Sequence, residues 1–441
     1  MPGTHGWAEI SAERKRELIA AIRGGHATRG PSHIELDLTD RCNVACYFCN
    51  QQDLRTKESI PLAKLIALVD ELAGTGLRSV RLSGGGDPLF HREIVPFLDH
   101  LQRRGIVVDN LTTNGAALTP EVASRLIAGK AREVVISLNA VDSDDYARMM
   151  RVRPRIFEDV LRNVRELVRQ RGPGAYPFIV VQLLLDRRNA HRLVEMYELG
   201  AGLGVDRIAV NAVLEIPNER VERDAILAPE DWPRIERALE EIFTRDRDAL
   251  LLHVDFPIAG WSEKVQALRD KVGLPPRNFF PVAPSFTLEN SGCFFAWYTA
   301  AVTGNGDIRP CCFMLSPAVK PLGNIHDTPT FGAQWNGPRF TRMREEMRDV
   351  LLGGSTGTHS PEKHTILEKQ CVEPGLCWLK NMFFRGDETF YRELGEALAE
   401  ARKPAEPPRL LRRIYDRCRD ASRPLRIQLK QKFGWNLTDA V

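Results

Sequence analysis

The 441-residue sequence predicts an α/β protein whose core is an open, partial (β/α)6 barrel. From Ile34 to Val213, short apolar strands alternate with helical segments, which is typical of a parallel sheet with right-handed crossovers. Six β/α units are present, too few to close an eight-stranded barrel. A cysteine-containing loop follows the first strand, at the carboxyl edge where such sheets bind ligands.

The individual elements are predicted from the periodicity of apolar residues. The predicted strands are Ile34–Leu38, Ser79–Ser83, Val107–Thr112, Val134–Leu138, Phe178–Leu185 and Arg207–Val213. Between the first two strands, apolar residues recur at three- and four-residue steps, which indicates an amphipathic helix, at Leu62, Leu65, Ile66, Val69 and Leu72. Later helices are predicted at His91–Arg104, Thr119–Ala128, Phe157–Gln170 and Ala190–Leu203.

The loop after the first strand contains Cys42, Cys46 and Cys49 in the spacing C-x3-C-x2-C. Three thiolates on one loop can hold three irons of a [4Fe–4S] cluster and leave the fourth iron open for a ligand. Zinc is the alternative, but structural zinc sites need four ligands and the nearest histidine is His33. The spacing therefore favours a cluster, with zinc left open.

With an aromatic residue, Phe48, before its last cysteine, this loop resembles the cluster loop of the radical S-adenosylmethionine (SAM) superfamily. The resemblance implies that the open iron binds the amine and carboxylate of SAM. It also implies that an electron from the cluster cleaves SAM to a 5′-deoxyadenosyl radical, which abstracts hydrogen from a substrate. Phe48 itself is then a candidate SAM contact.

A glycine-rich loop follows the second strand, with the sequence Gly84, Gly85, Gly86, Asp87, Pro88. Consecutive glycines let a ligand approach the backbone closely. The run resembles the Gly-Gly-Glu-Pro-like motif of the same family, with Asp in place of Glu. The resemblance implies that its backbone receives the SAM amino group.

Polar residues at later strand ends are further candidates for contact with the SAM ribose or carboxylate. The resemblance implies this role for Asn114, Ser137, Asn139 and Arg151. A guanidinium pairs with a carboxylate through two hydrogen bonds, which favours an arginine for the latter contact. The alternative is that these are ordinary polar strand ends and a solvated arginine.

A second cysteine set begins with Cys293 and Cys311, in the spacing C-x12-G-x4-C. The sequence Gly-Asn-Gly-Asp at 304–307 predicts a hairpin turn that brings these two cysteines together. The pattern resembles the SPASM/Twitch extension of radical SAM enzymes. With Cys371 and Cys377, the resemblance implies one auxiliary [4Fe–4S] cluster, although four thiolates also suit zinc.

Cys312 is left over beside one of these ligands. A buried, unreactive cysteine is one interpretation. The other is that Cys312 donates a hydrogen atom to a substrate radical, which would make the enzyme an epimerase.

The predicted organisation has five parts. They are a helical N-terminal extension at 1–33, the radical SAM core at 34–215, a connector at 216–290 with one strong helix at Asp231–Thr244, a SPASM/Twitch-like auxiliary domain at 291–385, and a helical, basic C-terminal region at 386–441.

Composition limits the class of protein and its partners. The chain is 43% hydrophobic and 27% charged, as soluble globular proteins are, and its net charge of +3 is too small to argue for nucleic acid. Nine cysteines in a chain of this length favour metal binding or catalysis over a disulfide framework. No signal segment and no run of about 18 apolar residues is present, so we expect a cytoplasmic protein without a membrane partner.

The substrate is predicted less directly. The 33 residues before the first strand are too short for a leader-binding domain of the kind found in peptide-modifying relatives, which favours a small polar molecule such as a carbohydrate or aminocyclitol. Dehydrogenation or epimerisation is the expected reaction, with a reductase or a flavodoxin- or ferredoxin-type protein as electron donor. A peptide substrate is the first alternative. A zinc-binding interaction protein that docks through its basic tail is the second.

Overall fold

A ten-stranded sheet organises the part of the chain that the structure, a computed structural model, describes. The described residues are 10–49, 51, 55–213, 225–245, 252–255, 260–274, 294–311, 320–351 and 388–402. The strands are β1 His33–Leu36, β2 Ser79–Leu82, β3 Val107–Thr113, β4 Glu133–Ser137, β5 Phe178–Leu185, β6 Arg207–Ala212, β7 Leu252–Asp255, β8 Thr299–Val302, β9 Asp307–Arg309 and β10 Gly323–Asn324.

The strand order is β10-β9-β8-β1-β2-β3-β4-β5-β6-β7. Strands β1 to β7 are parallel in chain order, and β8 joins the other side of β1, also in parallel. Strands β9 and β10 extend this side in antiparallel pairing. Within the described ranges, β7 and β10 end the sheet without pairing to each other. The predicted α/β fold with an open parallel sheet is confirmed.

Helices connect and flank the strands. They are α1 Ala12–Gly24, α2 Leu62–Thr75, α3 Ile94–Arg103, α4 Pro120–Ala128, α5 Ser143–Met150, α6 Arg155–Arg171, α7 Leu193–Gly202, α8 Trp232–Arg245, α9 Trp261–Lys271, α10 Phe295–Tyr298, α11 Phe331–Trp335, α12 Pro338–Leu351 and α13 Glu388–Arg402. None of the described helices is long and apolar enough to span a membrane.

Several elements differ from the sequence prediction. Strand β7 and helix α9 lie in the segment predicted as a connector, where only one helix, α8, was expected. Helix α5 was not predicted, because its eight residues are too few to show a clear period; Asp142 caps it by accepting hydrogen bonds from the backbone N–H groups of Asp144 and Asp145. The predicted hairpin at 304–307 is confirmed, since β8 and β9 pair in antiparallel fashion on either side of it.

The two faces of the sheet have opposite chemistry, because successive strand side chains point to opposite sides. Ile34, Leu36, Val80 and Leu82 join the apolar sides of the helices in a buried core. Their neighbours in the strands form what we call the polar face. In register across the sheet, its central row comprises Arg309, Ala301, Glu35, Arg81, Asn110 and Glu133.

Candidate cluster and cofactor site

Three sequence-predicted segments meet at the carboxyl ends of adjacent parallel strands. The cysteine loop follows β1, the glycine loop follows β2, and Asn114 follows β3. This is the edge at which parallel α/β sheets bind their ligands.

The cysteine loop is fixed by backbone hydrogen bonds to the end of α5. The N–H of Ala45 donates to the carbonyl of Met150 at 3.0 Å, and the N–H of Tyr47 donates to the carbonyl of Met149 at 3.4 Å. The Cys46 thiol is buried, with its Sγ 3.5 Å from Met150 Sδ. Helix α5, which the sequence did not reveal, therefore supports the middle of the loop.

Two aromatic residues between the second and third cysteines have different environments. Tyr47 is buried, and its hydroxyl donates a hydrogen bond to Asp186, a fully buried carboxylate. Burial, followed by this contact with Asp186, raises the pKa of Tyr47. Phe48 is half-buried and packs edge-on against Tyr47 with the ring centroids 5.2 Å apart. Tyr47 thus anchors the loop, while Phe48 stays at its partly accessible side.

The loop's thiols influence one another electrostatically. Burial is the main cause that raises the pKa of Cys46, and the nearby Cys49 and Cys42 add to it. Burial also raises the pKa of Cys42, helped by the carboxylate of Asp87. Thiols ligate metals as thiolates, so loading of this site must release protons.

The donor set fits an iron–sulfur cluster better than a single ion. Three soft thiols lie on one loop, yet no three His, Cys, Asp or Glu side chains among the described residues lie close enough together to hold one metal ion. A zinc ion would require sulfur atoms about 2.3 Å from a common centre. A [4Fe–4S] cluster places a separate iron at each thiolate, so Cys42, Cys46 and Cys49 would hold it.

The glycine loop lies directly against the start of the cysteine loop. The N–H of Gly85 donates to Asp37 Oδ2 at 3.1 Å. A Cβ atom at Gly84 would overlap the Asp37 carboxylate, and one at Gly86 would lie 2.5 Å from the carbonyl oxygen of Thr39. Gly84 also has a φ of +127°, which side chains disfavour. The glycines are therefore required by close packing of two loops.

Asp87 joins the glycine loop to the end of β3. Its buried carboxylate accepts hydrogen bonds from the backbone N–H groups of Leu89, at 3.0 Å, and Asn114, at 2.7 Å, and from the Thr113 hydroxyl. Pro88 begins the short 3-10 turn that Asp87 caps. These contacts give Asp87 and Pro88 a structural role, while their contact with SAM stays a prediction.

We expect Asp87→Asn to lower the free energy of unfolding by about 3 kcal/mol. The asparagine amide would place its NH2 group where Asp87 now accepts hydrogen bonds, so that buried donor groups would face each other. Urea unfolding measures this. The half-buried Asp159, which pairs with the exposed Arg162 on the surface of α6, is the control, and Asp159→Asn should cost less than about 1 kcal/mol. Equal losses in the two variants would contradict this role of Asp87.

The other residues predicted to contact SAM lie at different distances from the cysteine loop. Asn114 Nδ2 lies 3.7 Å from Cys42 Sγ and 2.7 Å from Asn43 Oδ1, so it is part of the site. Ser137 ends β4 half-buried on the polar face. Asn139 is buried and accepts a hydrogen bond from the Leu184 N–H at 3.1 Å, which ties β4 to β5.

Arg151 lies after the last residue of α5, in the left-handed region with φ of +53°, and is exposed. Its backbone N–H caps α5 by donating to the carbonyl of Ala147. Because this side chain is exposed, its pairing with the SAM carboxylate stays a prediction.

Arg55 is a site residue that the sequence did not indicate. Its guanidinium donates to Gly85 O at 2.5 Å, to Val44 O at 3.3 Å and to Cys49 Sγ at 3.4 Å. A single arginine in a polar segment carries no recognisable pattern, so only the tertiary structure reveals it.

Of the second cysteine set, Cys311 is described, and it is buried two residues after the end of β9. Cys293, Cys312, Cys371 and Cys377 lie outside the described residues. The auxiliary ligand set therefore stays a prediction.

The hairpin between β8 and β9 reaches the cysteine loop. A Cβ atom at Gly304 would lie 2.6 Å from Asp40 Oδ1 and 2.7 Å from the Asp40 backbone nitrogen. Asp40 in turn accepts a hydrogen bond from the Thr56 hydroxyl at 2.6 Å. The hairpin turn thus packs against the base of the first site.

Two family profiles match the chain, one over the segment that contains the first cysteine loop and one over the segment that begins with the second cysteine set. The profile of the radical SAM superfamily matches residues 36–200, which contain the cysteine loop, the glycine loop and β2 to β5. The chain contains a radical SAM domain. The profile of an iron–sulfur cluster-binding domain, SPASM, matches residues 293–354. This radical SAM protein therefore binds [4Fe–4S] clusters and SAM.

Curated relatives of this radical SAM protein differ in activity. It is 24% identical over 324 residues to the AdoMet-dependent heme synthase of Methanosarcina barkeri, which covers 72% of this chain and 86% of the relative. It is 27% identical over 210 residues to a probable GTP 3′,8-cyclase of Saccharolobus solfataricus, covering 47% of this chain and 65% of the relative.

Solved structures show the same fold. SuiB of Streptococcus suis superposes with a TM-score of 0.54 at 16% identity, over 75% of this chain and 71% of SuiB. The protein anSMEcpe with bound AdoMet superposes with a TM-score of 0.52 at 16% identity, over 85% of this chain and 98% of anSMEcpe. The two profile matches, and not this likeness of fold, confirm the predicted family and its two domain types.

Proposed function

We propose that this radical SAM enzyme abstracts a hydrogen atom from a small polar substrate bound against the polar face. The observation that carries the proposal is the chemistry of that face, which lies below the cysteine and glycine loops. Binding sites orient their ligands through a few placed polar groups, and this face supplies them on adjacent strands.

The polar groups on the face are held in defined positions. Asn110 Nδ2 donates to Glu133 Oε2 at 2.7 Å. Arg207 lies 3.9 Å from Glu133 and stacks over the Phe178 ring, 4.8 Å from its centroid. Glu133, Phe178 and Arg207 are only half-buried, so they can still contact a ligand. A substrate with both donor and acceptor groups suits this arrangement.

Glu35 adds an acceptor deeper on the same face. Only 2% of its surface is exposed, and neither carboxylate oxygen accepts a hydrogen bond from the part of the chain that the structure describes. A buried polar group without a partner is costly, which supports a role in ligand binding.

When bound, the cluster would supply the one electron that cleaves SAM to methionine, and the adenosyl fragment would take a hydrogen atom from the substrate. Cys42, Cys46 and Cys49 would hold the cluster, and Asn114 would position the loop beside Cys42. Met150 and Tyr146, both buried, keep water from the inner side of the loop. A flavodoxin- or ferredoxin-type protein supplies the electron.

A peptide substrate is the second candidate. SuiB has been solved with its precursor peptide SuiA, and anSMEcpe with a Kp18Cys peptide, and both share this fold. Neither the heme synthase nor the cyclase is named for a carbohydrate, so the expectation of a sugar or aminocyclitol has no support from these relatives. We therefore retain the broader class of small polar molecules.

The fate of the substrate radical divides dehydrogenation from epimerisation. In the first, the substrate radical would have to lose one electron and one proton, and an auxiliary cluster would supply the electron acceptor. In the second, Cys312 would return a hydrogen atom from its thiol, and the thiyl radical left behind would take one electron from the protein electron donor and one proton to restore the thiol. Unchanged product from Cys312→Ala would exclude the second.

The test is anaerobic incubation of the iron-loaded enzyme with SAM and dithionite, with formation of 5′-deoxyadenosine as the readout. We expect a fraction of small polar metabolites to raise its rate at least about tenfold over the uncoupled rate. A matched peptide fraction, before and after protease digestion, is the comparison. A protease-sensitive stimulation would favour the peptide alternative, and no 5′-deoxyadenosine at all would refute the proposed activity.

A further inference from the structure

Arg55 lies where the two loops of the site come together. Its three nitrogens each reach a different atom: Nε reaches Gly85 O, Nη1 reaches Val44 O, and Nη2 reaches Cys49 Sγ. Val44 and Cys49 belong to the cysteine loop, and Gly85 to the glycine loop. One guanidinium therefore connects the segment that holds the cluster with the segment predicted to receive the SAM amino group.

The contact with Cys49 is with a cluster ligand. A hydrogen bond to a ligating sulfur is one of the features that set the reduction potential of an iron–sulfur cluster. A reduced cluster carries one more negative charge than an oxidised one, so a fixed positive charge nearby stabilises the reduced form. Arg55 is half-buried, which limits screening of its charge by solvent.

The contact with Gly85 concerns geometry. The glycine loop already meets the cysteine loop through the Asp37 carboxylate, which accepts a hydrogen bond from the Gly85 N–H. Arg55 holds the opposite polar group of the same residue, its carbonyl oxygen. Gly85 is therefore fixed on both sides, and its orientation depends on Arg55.

We propose that Arg55 is a positioning residue with two separable effects: its charge raises the reduction potential of the cluster, and its fork-shaped guanidinium orients the glycine loop for SAM. Lysine can replace the charge, but it cannot reach three acceptors from one planar group. The two effects should therefore separate between a lysine and a glutamine variant.

Arg41 provides a matched control on the same loop. It adjoins Cys42 in sequence, but its side chain is exposed and donates to Lys57 O at 2.9 Å. Solvent screens an exposed charge, so Arg41→Gln should leave the potential of the cluster unchanged.

The experiment compares iron-loaded wild type, Arg55→Gln, Arg55→Lys and Arg41→Gln by redox titration followed by electron paramagnetic resonance, and by equilibrium binding of SAM. We expect Arg55→Gln to shift the midpoint potential of the SAM-binding cluster to more negative values. Loss of charged hydrogen bonds should also weaken its SAM affinity about tenfold. Arg55→Lys should keep the potential near that of wild type and lose SAM affinity.

An unchanged potential in Arg55→Gln, or an equal shift in Arg41→Gln, would refute the electrostatic effect. Unchanged SAM affinity in Arg55→Lys would refute the geometric effect. If Arg55→Gln fails to bind iron, the SAM affinity of Arg55→Lys still tests this effect. Both readouts are independent of the substrate, so failure of the proposed hydrogen abstraction would leave them unaffected.

Discussion

Replacement of Cys46 by alanine is expected to abolish formation of 5′-deoxyadenosine and to lower the iron content by about four atoms per chain. Cys46 is the most buried of the three loop cysteines, and its sulfur packs against Met150. An alanine there would remove one of the three proposed protein ligands of the cluster. Because the cluster carries the electron that cleaves SAM, loss of one ligand removes the activity completely.

The measurements are iron and sulfide analysis, the visible absorption of the anaerobically loaded protein and the assay for 5′-deoxyadenosine. Cys418→Ala is the control, because its position in the sequence separates it from both cysteine sets. It should retain the iron content and the activity. Full iron content in Cys46→Ala would show that the loop does not hold the cluster.

Replacement of Gly86 by alanine is expected to lower the free energy of unfolding by about 3 kcal/mol and to abolish SAM binding. A methyl group at this position would overlap the carbonyl of Arg41 and lie 2.5 Å from that of Thr39. Both neighbours are backbone atoms at the base of the cysteine loop. Neither can rotate away, so one loop must move relative to the other.

Gly74→Ala in α2 is the matched control, since a Cβ atom placed there would have no atom within 4 Å beyond its own stretch of helix, among the residues that the structure describes. In a helix, alanine is favoured over glycine by about 1 kcal/mol, so this variant should be slightly more stable than wild type. Urea unfolding and equilibrium binding of SAM measure the two effects. Wild-type SAM affinity in Gly86→Ala would show that close contact between the loops is not needed.

The alternating strands and helices of the core could be predicted from the sequence. Six strands separated by amphipathic helices leave a strong periodic pattern, and β1 to β6 appear in the predicted order. Strand β7 was missed because its four residues are too few to show a clear period. Pairing of β8 with β1 could not be predicted, because nothing local in the hairpin specifies which distant strand it joins.

The parts of the site that could be predicted are those in which residues of one type recur at short, fixed spacings in the sequence. The three cysteines and three glycines are close in sequence, so their pattern survives without a structure. Asp87 was placed in the correct loop, but its hydrogen bonds to the end of β3 depend on how the strands assemble. Arg55 reaches its partners through a long side chain, and the direction of such a side chain is set only by the finished packing.

The packing of Gly304 against Asp40 has a consequence for biosynthesis. The two residues are far apart in sequence, and β1, which leads into the cysteine loop, pairs with β2 on one side and with β8 on the other. Contacts of such sequence separation can form only after the intervening chain has been synthesised, and a chain emerging from the ribosome exposes its N-terminal part first. The cysteine loop is therefore synthesised early, but the hairpin between β8 and β9 can pack against it only later. Iron that is delivered after release of the chain would have to enter a site that this hairpin already covers.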